Sequence, residues 1–293
     1  MAHRPAIIRI CNQMKLKVSQ ELVSDKHVKV ILPAGFPFIA YNGKGYVNPW
    51  NILTLLDTFR ITVFAKSTPN EIIFLDGDKL CEESMPLICA TTAKISPSLY
   101  DNSIAQAPME MHCELTHAGK TSMTMKYSLY FKGSDLPVCE NKIKTVSVDL
   151  TSRKPYQLPD WWKKKYDIGL EGGQTLNIPR IVPGSSVLYN YQVKVKASDL
   201  DFFWHVNWSN YVKFSLDCFI EFAAKEHGPG NLVRAFRKCK NFSVLFLKEA
   251  RLMDTLDICM WKDLDNPNLF KFQFKNEADV ACESHLEFYP HDE

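Results

Sequence analysis

The chain has 293 residues, of which 46% are hydrophobic, so it is long enough for one large domain or two of ordinary size. Its 35 basic and 33 acidic residues nearly balance, which gives no indication of nucleic acid binding. The nine cysteines form no CxxC pair and no His–Cys spacing, so we expect free thiols, a reducing compartment, and neither a metal nor a cofactor. No apolar stretch approaches the roughly 20 residues of a membrane span, and the first residues lack a signal-peptide layout. The sequence therefore predicts a soluble, cytoplasmic protein.

The pattern of apolar and turn residues in the first half predicts a strand, one long helix and then several strands. Residues 1–26 are mixed in composition and predict a peripheral segment. Residues 27–38 alternate like a strand and end in turn residues. Pro49 suits the first turn of a helix, and apolar residues recur at helical spacing as far as about residue 64. The strand-like runs that follow are EIIFLDGDKL, MPLICATTAKI, MEMHCEL, TSMTMKYSLYF and CENKIKTVSVDL.

Residues 160–186 predict a linker between two domains. The stretch is rich in Gly and Pro, so we expect it to be irregular and largely exposed. Its WWKKK run, residues 161–165, could touch an anionic lipid surface. The commoner arrangement is two tryptophans packed on a domain with the lysines in solvent.

The stretch 193–217 has the most informative pattern in the chain. It begins as an alternating strand and continues as a helix, predicted over 209–226, with apolar residues on one side. The turn between them carries Asp199, Asp201, His205 and Asn207. The first N–H groups of a helix lack partners, so a carbonyl or an oxyanion could bind there. Further strand-like runs follow from residue 241 to the end.

The first helix opens with an echo of this stretch. VNPWN at 47–51 matches VNWSN at 206–210, an offset of 206 − 47 = 159 residues, and each copy follows a strand-like run. The turn of the first copy, YNGKGYVN, has neither a carboxylate nor a histidine. We therefore expect one working site, in the second half.

The stretch 193–217 resembles the hotdog-fold acyl thioesterases, and in particular the plant acyl-carrier-protein (ACP) thioesterases. Their signature reads D-x-D-x-x-x-H-V-N-x-x-x-Y, and it is fitted here by Asp199, Asp201, His205, Val206, Asn207 and Tyr211. The resemblance implies an α+β fold: a tandem (double) hotdog, each half a curved antiparallel sheet wrapped around one long central helix. It places a first, non-catalytic hotdog at 27–159 and a second hotdog with the site at 187–293.

The resemblance implies that Asp201, His205 and Glu249 are catalytic. Thioester hydrolysis needs a base or a carboxylate nucleophile and a donor for the oxyanion. Asp201 matches the family's catalytic carboxylate, His205 belongs to the same network, and Glu249 matches a glutamate across the site. Two alternatives stay open: Asp201 capping the helix beside a packed His205, and Glu249 on the surface, paired with Lys248 or Arg251.

Four more residues are expected to bind substrate: Asn207, Phe203, Trp204 and Tyr211. Two of them depart from the family pattern. Phe203 stands where the plant enzymes have Asn, and Trp204 stands where many members have Gly. Glycine adopts a positive φ at lower cost than tryptophan, so the conformation at residue 204 matters.

The sequence thus predicts a thioester hydrolase that acts on acyl-CoA or acyl-ACP and releases free fatty acid and thiol. The alternative, which the two departures permit, is a non-catalytic acyl-thioester or fatty-acid binding protein on the same fold. A hotdog dehydratase ranks last, because its helix-leading signature differs from DLDFFWHVN. A homodimer of double hotdogs is the expected assembly. Candidates to meet coenzyme A phosphates are Lys194, Lys196, Arg234 and Arg237.

Overall fold

The chain forms two compact units, and each draws on more than one stretch of sequence. The first comprises residues 1–35, 55–91 and 103–177, and the second comprises residues 36–54, 92–102 and 178–293. The computed structural model describes residues 18–64, 73–149, 151–166, 175–184, 186–228 and 232–290.

The first unit contains a sheet with the strand order β1-β2-β4-β5-β6-β3. Its strands are β1 Ser19–Ser24, β2 His27–Leu32, β3 Ser84–Ile95, β4 Met109–Ala118, β5 Ser122–Phe131 and β6 Cys139–Asp149. Neighbouring strands from β1 to β6 in this order pair antiparallel. The helices in the first half of the sequence are α1 Pro49–Phe64, α2 Gly77–Glu83 and α3 Asp160–Tyr166.

Buried and partly exposed side chains alternate along the strands of this sheet, and the buried ones form its core. In β2, the side chains of Val28, Val30 and Leu32 are buried while those between them are partly exposed. Phe59 and Val63 of α1 are also buried. The bounds of α1 confirm the helix predicted from Pro49.

The predicted peripheral segment, 1–26, includes the exposed edge strand β1, which pairs with β2; residues 1–17 lie outside the described residues. One expectation for the first half needs correction. Within EIIFLDGDKL, residues 74–76 form a 3-10 turn that leads into α2, and a strand is therefore wrong there. Leu75 has φ 59°, a left-handed conformation that ends any extended run.

The predicted linker is irregular in part. Residues 175–184 have no regular structure, but residues 160–166 form α3, which corrects the expectation for them; residues 167–174 lie outside the described residues. Trp162 is fully buried, and its Nε1 donates to the Leu75 carbonyl at 2.8 Å. Lys165 pairs with Asp76 at 2.6 Å. These contacts favour the packed interpretation of WWKKK over a lipid contact.

The second unit contains a sheet with the strand order β8-β11-β10-β9-β7, antiparallel throughout. Its strands are β7 Tyr189–Lys194, β8 Cys239–Phe246, β9 Thr255–Lys262, β10 Leu269–Asn276 and β11 Asp279–Phe288. Its helices are α4 Trp208–His227 and α5 Leu232–Ala235. The last residues of β3 also belong to this unit, where Thr92 Oγ1 donates to the Phe242 carbonyl at 3.2 Å.

Helix α4 packs on one face of this sheet, and its bounds confirm the helix predicted over 209–226. Phe219 stacks on Phe288 with ring centroids 4.5 Å apart. Ser215 and Ser284 form a buried hydrogen bond of 2.6 Å. The middle of α4 is therefore held against β11.

The segment 178–184 is anchored to β11 by a buried carboxylate. The Glu283 side chain is 1% exposed, and it accepts two hydrogen bonds from Arg180, at 3.0 and 3.1 Å. The backbone N–H of Ile181 and Nε2 of Gln273 complete its partners. Burial alone raises the pKa of Glu283, but these donors outweigh it and leave the pKa below the usual 4.5.

We expect Glu283→Gln to destabilise the protein at neutral pH and to flatten its stability profile in acid. Because the folded pKa is depressed, the stabilisation is present above pH 4.5 and is lost as the pH falls through the folded value. The expected loss at neutral pH is about 1–3 kcal/mol, toward the lower end because Arg180 faces solvent. Denaturant unfolding at several pH values measures it, with the exposed Glu226→Gln as control. A glutamine variant with wild-type stability and an unchanged acid slope would contradict this.

Candidate active site

The residues before α4 form a tight turn that is closed at its base. Leu200 and Val206 form an antiparallel bridge, and Asp201 N–H donates to the His205 carbonyl at 2.8 Å. Asp201 Oδ1 accepts hydrogen bonds from the backbone N–H groups of Phe203, at 2.8 Å, and His205, at 3.3 Å. The Asp201 carboxylate therefore organises the turn on which it lies.

Trp204 occupies the conformation that the family's glycine would suit. Its φ is 65°, in the left-handed region, which costs a non-glycine residue about 1–2 kcal/mol. The turn therefore keeps its shape despite the substitution. The side chain is 71% exposed, so most of it faces solvent rather than a closed acyl pocket. Its predicted substrate contact stays a prediction.

Glu249 reaches the turn from the segment that follows β8. His205 and Arg251 form an antiparallel bridge, and Val206 N–H donates to the Ala250 carbonyl at 2.9 Å. This pairing brings Glu249 Oε2 to 3.0 Å from His205 Nε2 and 3.7 Å from Arg251. The Glu249 side chain is 36% exposed. It contacts His205, as predicted for the site, and it also pairs with Arg251, as the surface alternative predicted.

Asn207 caps α4. Its Oδ1 accepts from the backbone N–H of Ser209 at 2.9 Å and from the Ser209 hydroxyl at 2.6 Å. Asn210 N–H donates to the Asn207 carbonyl at 2.9 Å. Two of the first N–H groups of the helix are therefore already bonded, and the binding of a carbonyl or an oxyanion at this helix start stays a prediction.

Tyr211 is a core residue that supports the glutamate's segment. It is 3% exposed, with edge-to-face contacts to Phe246 and Phe274 at 5.5 and 5.4 Å between centroids. Burial raises the pKa of Tyr211. The structure places Tyr211 in the core beside the end of β8, and its predicted substrate contact stays a prediction.

Phe203 lies within the turn, and its backbone N–H donates to the Asp201 carboxylate. Its ring packs against that of Phe202 with centroids 4.2 Å apart, and both are partly exposed. Trp208, the first residue of α4, is buried. Phe202 and Phe203 therefore supply an apolar surface on the turn, while the amide that the plant enzymes carry at position 203 is absent.

The same turn occurs 159 residues earlier, which the sequence echo only partly revealed. Asn42 N–H donates to the Tyr46 carbonyl at 2.9 Å, and Asn42 Oδ1 accepts from the N–H groups of Lys44 and Tyr46 at 2.9 and 3.1 Å. Gly45 has φ 76° where the second copy has Trp204. The two turns therefore share their backbone and differ in their side chains.

The structure thus brings the three predicted catalytic residues together. The turn joins Asp201 to His205, and the His205–Arg251 bridge brings Glu249 to His205. The arrangement offers a carboxylate–imidazole pair and a second carboxylate fixed by backbone N–H groups, which suits acid–base chemistry. Across the described parts of the chain, no three His, Cys, Asp or Glu side chains are grouped to hold a metal ion. None of the described helices is long and apolar enough to cross a membrane.

The region that contains these residues matches a known protein family. Residues 186–289 match the family model of the acyl-ACP thioesterase C-terminal domain, about a third of the chain. The family predicted from the sequence is confirmed for this part of the chain. The matched region includes the turn, helix α4 and the glutamate segment. The predicted thioester hydrolase agrees with that family. No curated protein sequence matches the chain.

Solved structures give the same fold over most of the chain. The 12:0-ACP thioesterase from Umbellularia californica superposes with a TM-score of 0.68 at 10% identity, covering 92% of this chain and 100% of that one. An acyl-ACP thioesterase from Bacteroides thetaiotaomicron has a TM-score of 0.63 at 14% identity, covering 91% and 100%. At such identities the likeness is one of fold, and it extends beyond residues 186–289 into the first half.

Proposed function

We propose that the chain hydrolyses acyl thioesters at Asp201, His205 and Glu249, releasing a free acid and a thiol. The observation that carries this is the 3.0 Å contact between His205 Nε2 and Glu249 Oε2, beside a turn closed by Asp201 in a thioesterase domain. An acyl-ACP is the first substrate to test, because the family and the structural neighbours are named for it.

The geometry suggests a division of labour. Glu249 accepts the Nε2 proton of His205, which fixes the imidazole tautomer and leaves Nδ1 to take a proton from water. The activated water attacks the thioester carbonyl, the C–S bond breaks, and the imidazolium returns its proton to the departing thiolate. Asp201 fixes the turn and places a second negative charge beside the imidazolium.

Asn207 is the candidate donor to the substrate carbonyl. Its Oδ1 is committed to the cap of α4, so Nδ2 is the end of the amide that is left to donate. Phe202 and Phe203 then form an apolar wall for the acyl chain. This assignment gives Asn207 two roles, one structural and one toward the substrate.

We infer that the two strand–helix sets are tandem hotdogs, over 27–159 and 187–293. The matching turns at an offset of 159 residues, each opening a long helix, support this. Coenzyme A as the carrier, a homodimer and a cytoplasmic location stay predictions from the sequence.

A double-mutant cycle on the imidazole–carboxylate pair tests the mechanism. We expect His205→Ala and Glu249→Gln each to lower kcat/KM by ~10²–10⁴-fold. The double variant should be about as slow as the slower single variant, because the groups act as a unit. Steady-state thiol release measures all four proteins.

Lys248→Ala is the matched control, because Lys248 neighbours Glu249 but pairs with Asp279. It should retain wild-type activity. Losses in the two single variants that multiply in the double variant would show independent action and refute the pairing as the catalytic unit.

A further inference from the structure

Three large apolar side chains protrude into solvent beside the candidate site. Trp204 is 71% exposed, Met253 is 62% exposed and Leu252 is 47% exposed. Trp204 lies in the turn before α4, and the other two lie in the turn before β9. Single exposed apolar residues are ordinary on a protein surface, whereas a group of large ones marks an interaction surface. We call these three residues the apolar tips.

The backbone pairing brings the apolar tips together. The antiparallel bridge between His205 and Arg251 places Leu252 opposite Trp204 on the neighbouring segment. Residues opposite each other in such a pair have Cβ atoms about 5 Å apart. Met253 is the next residue along the chain. The tips therefore form one patch on two turns that are joined by a bridge.

Two of the apolar tips have a left-handed backbone. The φ angle is 65° at Trp204 and 72° at Met253, a conformation that most side chains adopt only at a cost. Glycine would keep the Trp204 turn without this cost. The chain thus combines backbone strain with the exposure of a tryptophan. Strained residues of this kind cluster at ligand contacts, where binding by the side chain offsets the strain.

Exposed cations lie beside the apolar tips. Met253 N–H donates to the Val195 carbonyl at 3.1 Å, so the segment that carries Lys194 and Lys196 lies next to the tips. Both lysines are exposed, and the Arg251 side chain is 70% exposed. Apolar side chains bordered by cations suit a surface that is negatively charged outside and apolar beneath.

The carboxylates near the tips are fewer and engaged. On residues 194–196, 201–206 and 249–254, the exposed charges are the three cations and one carboxylate, Glu249, which pairs with His205 at 3.0 Å. Asp254 is partly buried, and its Oδ2 accepts from Arg251 N–H at 2.9 Å and from Asn276 Nδ2 at 2.7 Å. The exposed charge around the tips is therefore mainly positive.

We propose that the apolar tips and their neighbouring cations dock on an anionic lipid surface. Tryptophan suits the boundary between headgroups and acyl chains, and leucine and methionine suit the apolar layer below it. The cations meet the negative headgroups. Protruding turns fit a fluid surface, whereas a rigid protein would need a matching pocket for each tip.

Docking in this way places the candidate site at the lipid surface, because His205 follows Trp204 directly in the chain. An acyl chain could then pass from the lipid to the site. That use of the surface rests on the proposed function, while the docking itself does not.

Co-sedimentation of the full chain with phosphatidylcholine vesicles, with and without phosphatidylserine, tests the docking. We expect binding to the vesicles that contain phosphatidylserine, much weaker binding to the neutral vesicles, and weaker binding at high salt. Equal binding to both vesicles, or binding to neither, would overturn the proposal.

Trp204→Gly combined with Met253→Asn is the decisive variant. Glycine and asparagine suit a left-handed backbone, so the fold should persist, as denaturant unfolding would show. Binding to the anionic vesicles should fall about ten-fold or more, because two apolar tips are lost. Lys194→Gln combined with Lys196→Gln leaves the tips in place, and it should also weaken binding about ten-fold or more.

Two controls separate the tips from other exposed residues. Leu264→Ser removes a 99% exposed leucine beyond the other end of β9, and Trp161→Ala removes the exposed tryptophan of the WWKKK run. Both should bind vesicles as wild type does. Wild-type binding by the decisive variant, or an equal loss in either control, would overturn the proposal.

A carrier protein is the competing partner for the same tips. If the wild type bound a carrier protein through them and bound no vesicle, the patch would be a protein-docking surface and the lipid proposal would be wrong. All these readings are of binding, so they stand even if no thioester is hydrolysed.

Discussion

Replacing Asp201 by asparagine is expected to leave the protein folded while thioester hydrolysis falls by ~10²–10⁴-fold. Folding should persist because the first copy of the turn already uses an asparagine here. Asn42 Oδ1 accepts the N–H groups of Lys44 and Tyr46, as Asp201 Oδ1 accepts those of Phe203 and His205. Asparagine therefore keeps the turn and removes the negative charge of the Asp201 carboxylate.

Asp201→Ala separates the structural role of Asp201 in the turn from its proposed catalytic role. It loses both turn hydrogen bonds, so it should cost about 0.5–2 kcal/mol of stability in addition to the activity. Unfolding midpoints and thiol release, measured on both variants, test this, with the exposed Asp135→Asn as control. If Asp201→Asn is as fast as wild type, the aspartate serves the turn alone and its predicted catalytic role is wrong.

Trp162→Ala should destabilise the protein by about 3–5 kcal/mol. Trp162 lies in the interior with 0% exposure. The alanine variant lacks both its packing against Tyr166 and its hydrogen bond to the Leu75 carbonyl. The variant leaves a cavity and an unpaired buried carbonyl. Denaturant unfolding of the full chain measures the difference.

Trp161→Ala is the matched control. Trp161 is 39% exposed, and Lys79 Nζ lies 5.9 Å from its ring, so about 0–1 kcal/mol is expected. Equal losses for the two tryptophans would contradict the packing of α3. If the wild type bound anionic vesicles and Trp161→Ala did not, the lipid-surface interpretation of this run would return.

The sequence predicted the parts of the fold that local patterns determine. The periodicity of α1 and α4 gave both long helices within one or two residues. The alternative that Asp201 caps α4 is wrong, because Asn207 caps the helix and the Asp201 carboxylate bonds within the turn before it. The contact from His205 to Glu249 needed the family resemblance, because 44 residues and a strand separate them.

Other features depend on tertiary packing that no local pattern encodes. β1 has an almost uniformly exposed sequence, so it shows no alternation, and pairing with β2 alone makes it a strand. α3 forms where Gly and Pro predicted a loop, because Trp162 finds a buried site.

Thiol release by the purified wild-type chain from a panel of acyl-ACP and acyl-CoA thioesters is the most direct test of hydrolysis. Hydrolysis predicts free thiol and free acid in equal amounts, with turnover above that of the Asp201→Asn protein. A wild-type chain that binds these thioesters but releases no thiol from any of them would contradict it. The chain would then be the acyl-thioester binding protein that Phe203 and Trp204 left open.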